Sequence, residues 1–153
     1  MTTVQEQHLS GITFDWVRVR ELRFVDNPES SEMAELTDLE ISLTVEAKVG
    51  TDGSWCRTLL RVKVSPPTDQ PEAFQTLMAA VEGSFSAHGE AVVEMESFSR
   101  LQGPAIVMPF VREAIARITT GSRFNQILLP PLNVAAIVEE MERQRASSTA
   151  EAK

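Results

Sequence analysis

The residue best suited to nucleophilic chemistry is Cys56, the single cysteine in a chain of 153 residues. Thiol catalysis needs a base within hydrogen-bonding reach, and the chain offers His8, in a patternless N-terminal stretch, and His88. No motif links these three residues, and a lone cysteine at the start of a strand is typical of side-chain packing. The sequence therefore predicts that Cys56 is a core residue.

Two groups of carboxylates could also do chemistry. Glu94 and Glu96 fall on one side of a strand-like stretch, where they could act as acid and base or bind a metal, but no histidine or aspartate follows at ligand spacing. The apolar run VMPFVREAI (107–115) contains Arg112 beside Glu113, and a helix would pair Glu113 with an arginine one turn later. Neither group converges with other reactive residues, and the sequence has no glycine-rich phosphate loop. We predict no catalytic site, no metal site and no cofactor.

Composition and charge narrow the class of protein. Hydrophobic residues make up 42% and charged residues 24%, and the net charge of −8 disfavours nucleic acid as a partner. One cysteine cannot form an internal disulfide, and the sequence shows neither signal-peptide blocks nor an apolar stretch near the ~20 residues of a membrane span. These features predict a cytoplasmic protein without membrane insertion. One domain is expected over 12–145, between a flexible arm at 1–11 and a disordered tail at 146–153.

Alternating apolar residues predict a sheet in the first half of the chain. Residues 12–25 change phase along their length, which indicates a bulged strand. Residues 39–49 alternate without interruption, and an Asp–Gly turn leads into 55–64, so this pair is predicted to form an antiparallel hairpin. The periodicity of 73–81 does not decide between strand and helix.

The period changes to that of helices after residue 103. Five apolar residues share one face of the first predicted helix: Val107, Val111, Ala114, Ile115 and Ile118. Gly121 is placed to end that helix. Asn133 is placed to cap a second helix, whose outer face would carry an ion pair between Glu139 and Arg143.

Two further features indicate partners rather than catalysis. Between Asp26 and Glu46 there are seven acidic residues and no basic one, which could attract a cationic partner or keep an exposed edge soluble. The segment ILLPPLNVAAIV (127–138) adds more apolar surface than a small two-layer domain readily buries. That surface could form an oligomer interface, a binding groove or additional core.

Three segments resemble the SecB export chaperones and their SecB-like relatives. The most specific is MPFVREAIARITTGSRFNQILLPPLNVAAIV (108–138), which is similar to the family's aromatic–Pro–aromatic–x–Arg–Glu helix and the proline-containing connection after it. ELRFVDNP (21–28) and LLRVKV (59–64) resemble family strands in the same order. Met108 and Asn125 depart from the family pattern, at an aromatic and a proline position. Five other residues match that pattern: Arg112, Glu113, Leu129, Pro131 and Asn133.

The resemblance implies an α+β fold, in which a four-stranded antiparallel sheet carries one long helix and a C-terminal helix, and it favours a strand at 73–81. It also implies a homotetramer built as a dimer of dimers. Members of the family have no catalytic site and need no nucleotide. They bind unfolded polypeptides in apolar grooves between the C-terminal helix and the crossover of strands one and two. The expected function is that of an ATP-independent holdase; the alternative is a small-ligand-binding or structural oligomer on the same scaffold.

The resemblance also assigns roles to individual residues. The client-binding residues are predicted to be Leu39, Ile41, Leu43, Trp55, Leu128, Leu129, Ile137, Val138 and Met141. The oligomer interface is predicted at Val111, Arg112, Glu113 and Ile115. Glu21 and Asp26 could supply acidic contacts to the SecA motor. Against such docking, Leu77 or Met78 stands where the family has an acidic residue. The client is thus expected to be exported preproteins in general or one dedicated protein, such as an antitoxin.

Overall fold

The computed structural model describes most of the chain. The described residues are 11–27, 38–88, 94–124 and 126–151. The predicted arm at 1–11 lies outside them apart from Gly11, and so does part of the acidic segment, at 28–37. The arm therefore remains a prediction.

Four strands come first in the described chain and two long helices follow. These elements are β1 (Ile12–Asp26), β2 (Glu40–Val49), β3 (Trp55–Ser65), β4 (Phe74–Ala87), α1 (Gly103–Thr119) and α2 (Val134–Glu151). Two helical turns, Met95–Ser97 and the π-helical Phe98–Gln102, lead directly into α1. Most of the ambiguous segment 73–81 lies in β4, as the family resemblance favours.

The strands form one antiparallel sheet in the order β1-β4-β3-β2. β2 and β3 form the predicted hairpin, in which Val49 pairs with Cys56 beside the turn. β1 pairs with β4 at the opposite edge, and its register shifts at three places, one of them between Val19 and Glu21. These shifts confirm the predicted bulge.

The core lies between one face of the sheet and α1. Leu60 and Val62 of β3 point to this face and are fully buried. α1 covers them with Val107, Val111 and Ile115, which are also 0% exposed and share the predicted helical face. Burying each side chain of this size stabilises the fold by about 1.5–3 kcal/mol, so these residues hold the helix on the sheet. The predicted α+β fold is confirmed for the single chain.

α1 begins very close to β3, at Gly103. A Cβ atom at this position would overlap Thr58 Oγ1, so a residue without a side chain permits the approach. The Thr58 hydroxyl is buried and donates a 2.6 Å hydrogen bond to the Ser99 carbonyl. Thr58 therefore ties the sheet to the π-helical turn.

The turns before α1 correct the strand predicted around Glu94 and Glu96. Glu96 lies in the helical turn Met95–Ser97, and Glu94 directly precedes it. Met95 and Phe98 are both buried, three residues apart. That spacing is helical, whereas a strand would bury alternate residues, so the strand prediction is wrong.

Hydrogen bonds to α1 hold the connection between the two helices. α1 ends before Gly121, whose φ of 81° is the left-handed conformation that favours glycine at a helix end, as predicted. Arg112 Nη2 donates to the Leu129 carbonyl at 3.1 Å. Thr119 Oγ1 accepts from the Ile127 N–H at 2.9 Å. These bonds fix the proline-containing segment against α1.

Asn133 caps α2, as its position predicts. Its Oδ1 accepts a 3.1 Å hydrogen bond from the Ala136 N–H, one of the donors left unpaired at a helix start. Val134 and Val138 are the buried residues of α2 and pack into the core. The first two turns of α2 thus anchor the helix.

The second half of α2 differs from the sequence prediction. The helix continues to Glu151, through most of the segment 146–153 for which the sequence predicts disorder. Its side chains from residue 143 onward are exposed, and its alanines and long polar residues favour helix without packing. The predicted ion pair between Arg143 and Glu139 is replaced by one between Arg143 and Glu140, at 2.8 Å. Both glutamates lie within about one helical turn of Arg143, so either can reach it.

Candidate client-binding surface

The two helical turns that precede α1 lie between β2 and α2. They pack against β2 and against α2. Met95 and Phe98 of these turns are buried and Leu101 is half-buried. Sequence reasoning missed this layer, although the spacing of the three residues by three positions was a usable helical signal. The turns form the floor of a surface that β2 and α2 border on either side.

β2 supplies one border of this surface. Leu39, Ile41 and Leu43 are half-buried and pack against the core cluster from the sheet edge. Alternate residues of β2, such as Ser42 and Thr44, point to the opposite face and are exposed. An edge strand with a partly exposed apolar side can bind an extended peptide through both its side chains and its free backbone groups.

α2 supplies the other border. Ile137 and Met141 are half-buried and lie one turn apart, beside the buried Val138. We call the surface formed by Leu39, Ile41, Leu43, Leu101, Ile137 and Met141 the apolar cleft. A cavity of about 310 Å³ opens where the turns face α2, and its rim carries charged residues, including Arg100 and Glu142. Leu101 is the residue of the apolar cleft that lines this cavity, so the cavity marks the polar end of the surface.

A second open cavity, of about 330 Å³, lies on the other side of the start of α2. It is lined by Met108 and Pro109 of α1 and by Pro131 and Leu132 of the connection. Sequence reasoning did not single out these residues for client binding. In the sequence these residues belong to two separate segments, the predicted helix and the proline-containing connection. Tertiary packing brings the two segments together around the cavity.

The structure separates four of the predicted client-binding residues from the apolar cleft. Leu129 and Val138 are 2% and 1% exposed, so they support the fold and offer no surface to a client. Trp55 points to the face of the sheet that is turned away from the helices, because it alternates with the buried Cys56. Leu128 is 67% exposed on the connection, where it can contact a client outside the cleft.

The predicted oligomer interface also changes. Val111 and Ile115 are fully buried within the chain, so their assignment to an interface is wrong: apolar helical spacing marked the core face. Glu113 pairs with Arg117 at 2.8 Å, as predicted, on the exposed side of α1. Arg112 donates to the connection within its own chain.

A different apolar surface on β1 and α1 is exposed. Val19 is 51% exposed and Phe110 is 36% exposed, and both line a cavity of about 170 Å³. Phe14 stacks on Phe85 with ring centroids 5.0 Å apart and meets Phe110 edge-on at 5.8 Å. We call Phe14, Val19, Ile106 and Phe110 the β1–α1 apolar surface. Phe14 and Val19 lie on the edge strand β1, which could extend the sheet into a second chain, and Ile106 and Phe110 lie on α1 beside it.

The two acidic residues predicted to contact SecA differ in their surroundings. Asp26 forms an ion pair with Arg123 at 2.9 Å, and this arginine also donates to the Ala73 carbonyl. Asp26 thus has a structural role at the end of β1. Glu21 is half-buried opposite Ala80, on the sheet face away from the helices.

The candidate catalytic groups do not form a reactive site. Cys56 is 0% exposed, and burial, together with the charge of Asp15, raises the pKa of its thiol from 9.0 to about 11. The thiol therefore stays protonated at neutral pH, as expected for a packed residue. His88 is exposed, while His8 lies outside the described residues. No group of three or more potential metal ligands occurs among the residues that the structure describes.

Comparison with known proteins decides the family. Residues 5–145 match the SecB family model, described as preprotein translocase subunit SecB. The chain belongs to the SecB family. SecB proteins are chaperones and not enzymes, so this SecB-family chain is a chaperone. Within the described parts of the chain, no helix has the length and hydropathy needed to cross a membrane.

Individual relatives agree with this assignment. The chain is 29% identical over 113 residues to the protein-export protein SecB of Hydrogenovibrio crunogenus, across 72% of this chain and 73% of that protein. It is 25% identical over 132 residues to an uncharacterized protein of Methanocaldococcus jannaschii, across 86% and 84% of the two chains.

A solved SecB-like structure has the same fold. The SecB-like chaperone of Mycobacterium tuberculosis, in complex with a ChAD peptide from the HigA1 antitoxin, superposes with a TM-score of 0.61. The match covers 81% of this chain and 92% of that chain, at 12% sequence identity. At this identity the similarity concerns the fold, and it supports the SecB-like arrangement of sheet and helices.

Proposed function

We propose that this SecB-family chain is an ATP-independent holdase that prevents aggregation by binding apolar segments of non-native polypeptides. The observation that carries the proposal is the apolar cleft, whose half-buried side chains border the helical turns from β2 and α2. Its position between strand and C-terminal helix agrees with the groove expected from the family resemblance.

The physical basis is hydrophobic burial without a demand for one sequence. Each apolar client side chain that leaves water gains about 1.5–3 kcal/mol, and several weak anchors add up along an extended segment. A free edge on β2 could add backbone hydrogen bonds, which do not depend on client sequence. Binding of this kind needs no nucleotide, and the sequence contains no phosphate-binding glycine motif.

Two client ranges fit this surface. One relative is named as a protein-export protein, and the solved SecB-like chaperone holds an antitoxin peptide. Docking to SecA through acidic residues has limited support, because Asp26 is already paired with Arg123 and Glu21 lies among arginines. Both client ranges stay within the proposal, and SecA binding is the property that separates them.

Aggregation of a reduced, unfolded client tests the holdase activity. We expect the pure protein to suppress light scattering at about one chaperone assembly per client, with and without ATP, because burial drives the binding. Bovine serum albumin at the same concentration is the control. Scattering that is unchanged by the chaperone would contradict the proposal and favour the small-ligand or structural oligomer.

The assembly is proposed to be a homotetramer, with the β1–α1 apolar surface as a subunit contact. The pure protein should then sediment at about 68 kDa, four times the chain mass of 16.9 kDa. The double variant Val19→Glu, Phe110→Glu should form a smaller species than the tetramer. Assembly through this surface would bury two carboxylates without partners. Leu128→Glu is the control, since Leu128 is exposed on a different surface. A wild-type monomer, or a double variant that stays tetrameric, would reject this contact.

A further inference from the structure

The face of the sheet away from the helices is unusually basic for this chain. We call this face the open face. Its side chains come from the strand residues that alternate with the core residues. Its cationic residues are Arg18, Arg20, Arg23, Lys48, Arg57, Arg61 and Lys63. Its carboxylates are Asp15, Glu21, Glu40, Glu46 and Glu82. Among the residues that the structure describes, the open face thus carries seven of the 13 Lys and Arg residues but five of the 17 Asp and Glu residues.

Both tryptophans of the chain lie on the open face, at the end of the sheet where Trp16 pairs with Ser84 and Trp55 with Ser86. The Arg57 guanidinium lies 5.3 Å from the ring centroid of Trp16 and 5.1 Å from that of Trp55. Arg18 lies over Trp16 at 4.5 Å. A guanidinium held beside aromatic rings keeps N–H groups that can still donate to a carboxylate.

Arg57 lacks an anionic partner among the described residues. Its Nε is buried and makes no hydrogen bond within the described structure. Lys48 is its direct cross-strand neighbour on β2, so two cations stand side by side. Like charges in this position oppose each other, and a bound anion would remove the repulsion.

The remaining cations are only partly compensated. Arg18 and Arg20 share one carboxylate, that of Glu82, at 3.0 and 3.2 Å. The Arg61–Glu46 contact is 4.0 Å long, and the buried Nε of Arg61 makes no hydrogen bond in the described part of the chain. Positive charge that is only partly neutralised therefore extends over β1, β3 and β2 on this face, while β4, between β1 and β3, carries the carboxylate of Glu82.

We propose that the open face binds an extended acidic segment of a partner polypeptide. Carboxylates of the segment would pair with Arg57 and Lys48, and the side chains between them would pack on Trp16 and Trp55. A peptide fits better than a nucleic acid because Asp15 and Glu82 lie on either side of Trp16 and would repel an unbroken row of phosphates. An acidic peptide can place neutral residues opposite these carboxylates.

The open face is separate from the apolar cleft, which lies on the helix side of the sheet. The inference therefore does not depend on the holdase proposal. A client could occupy the cleft through its apolar segments while an acidic segment, of the same polypeptide or of another, binds the opposite side.

Binding of a defined acidic peptide tests this inference. The probe is a fluorescein-labelled peptide of about 12 residues that alternates glutamate and serine, long enough to cross the sheet. We expect salt-sensitive binding by anisotropy and a change in tryptophan fluorescence, since both tryptophans line the face. A peptide with lysine in place of glutamate should not bind.

Variants locate the site. Lys48→Ala with Arg57→Ala should weaken binding by about tenfold or more, because two charge-assisted contacts are lost. Lys48→Ala alone, at an exposed position that leaves the fold intact, should lose about threefold. Arg143→Ala with Arg145→Ala makes the same charge change on the exposed part of α2 and should alter binding by less than about twofold.

Several results would overturn the inference. One is that the glutamate peptide does not bind at low salt. Another is that the Arg143→Ala, Arg145→Ala control loses as much peptide affinity as the Lys48→Ala, Arg57→Ala variant. A third is that the lysine peptide binds as tightly as the glutamate peptide. Tighter binding of a single-stranded oligonucleotide of matched charge would assign the face to nucleic acid instead. A change in assembly mass in the Lys48→Ala variant would assign it to contact between copies of this chain.

Discussion

Replacing Ile137 and Met141 together by aspartate should weaken binding of an unfolded client by at least about 100-fold, since each lost anchor is worth about tenfold. A carboxylate in the same contact would also lose its water without gaining a partner. Both residues are only half-buried, so α2 keeps its packing through Val134 and Val138. The affinity is measured by anisotropy with a labelled, reduced and unfolded client.

A matched control separates the apolar cleft from a general effect of charge. Ala136→Asp combined with Ser147→Asp adds the same two negative charges on the exposed side of α2. We expect this variant to bind the client with the wild-type affinity. Equal losses in both variants would indicate charge repulsion, and unchanged affinity in the Ile137→Asp, Met141→Asp variant would place the client elsewhere.

Gly103→Ala should lower the free energy of unfolding by about 2–4 kcal/mol, although alanine in an exposed helix would raise it by about 1 kcal/mol. The added methyl group would overlap Thr58 Oγ1 and lie 3.1 Å from Thr58 Cβ. Thr58 cannot turn away without leaving the Ser99 carbonyl unpaired in a buried site. Urea unfolding followed by circular dichroism measures the change.

A double-mutant cycle identifies the cause. Thr58→Ala removes the overlapping oxygen, so Gly103→Ala should cost less in that background than in the wild type. The difference is expected to be about 1–2 kcal/mol. A stabilising effect of Gly103→Ala in the wild-type chain would show that α1 does not approach β3 this closely.

The local elements could be predicted from sequence because their signals are short-range. The alternation of 39–49 and 55–64 with an Asp–Gly turn between them sufficed for the β2–β3 hairpin. The helical recurrence from Val107 to Ile118 identified the buried face of α1, and Asn133 marked the start of α2. The strand at 73–81 needed the family resemblance, since its small apolar residues fit both periods.

The functional surfaces were predicted only in part, because alternation tells which side chains share a face but not what covers that face. Leu39, Ile41, Leu43, Ile137 and Met141 were predicted for client binding and border one cleft. Leu129 and Val138 have the same hydrophobic character, yet they are buried inside the chain. Trp55 is apolar as well but belongs to the opposite face, where it packs on Arg57.

Sequence alone thus determined the β2–β3 hairpin, the bulged strand β1, the start of each long helix, the absence of a recognisable catalytic motif and the SecB resemblance, all of which depend on residues close together in the chain. Tertiary structure decided which apolar residues remain exposed, because burial depends on contacts between segments far apart in sequence. It also gathered cations from β1, β2 and β3 on one face of an acidic protein. Arg18, Lys48 and Arg57 are widely spaced in sequence, and antiparallel pairing through β4 and β3 places them together.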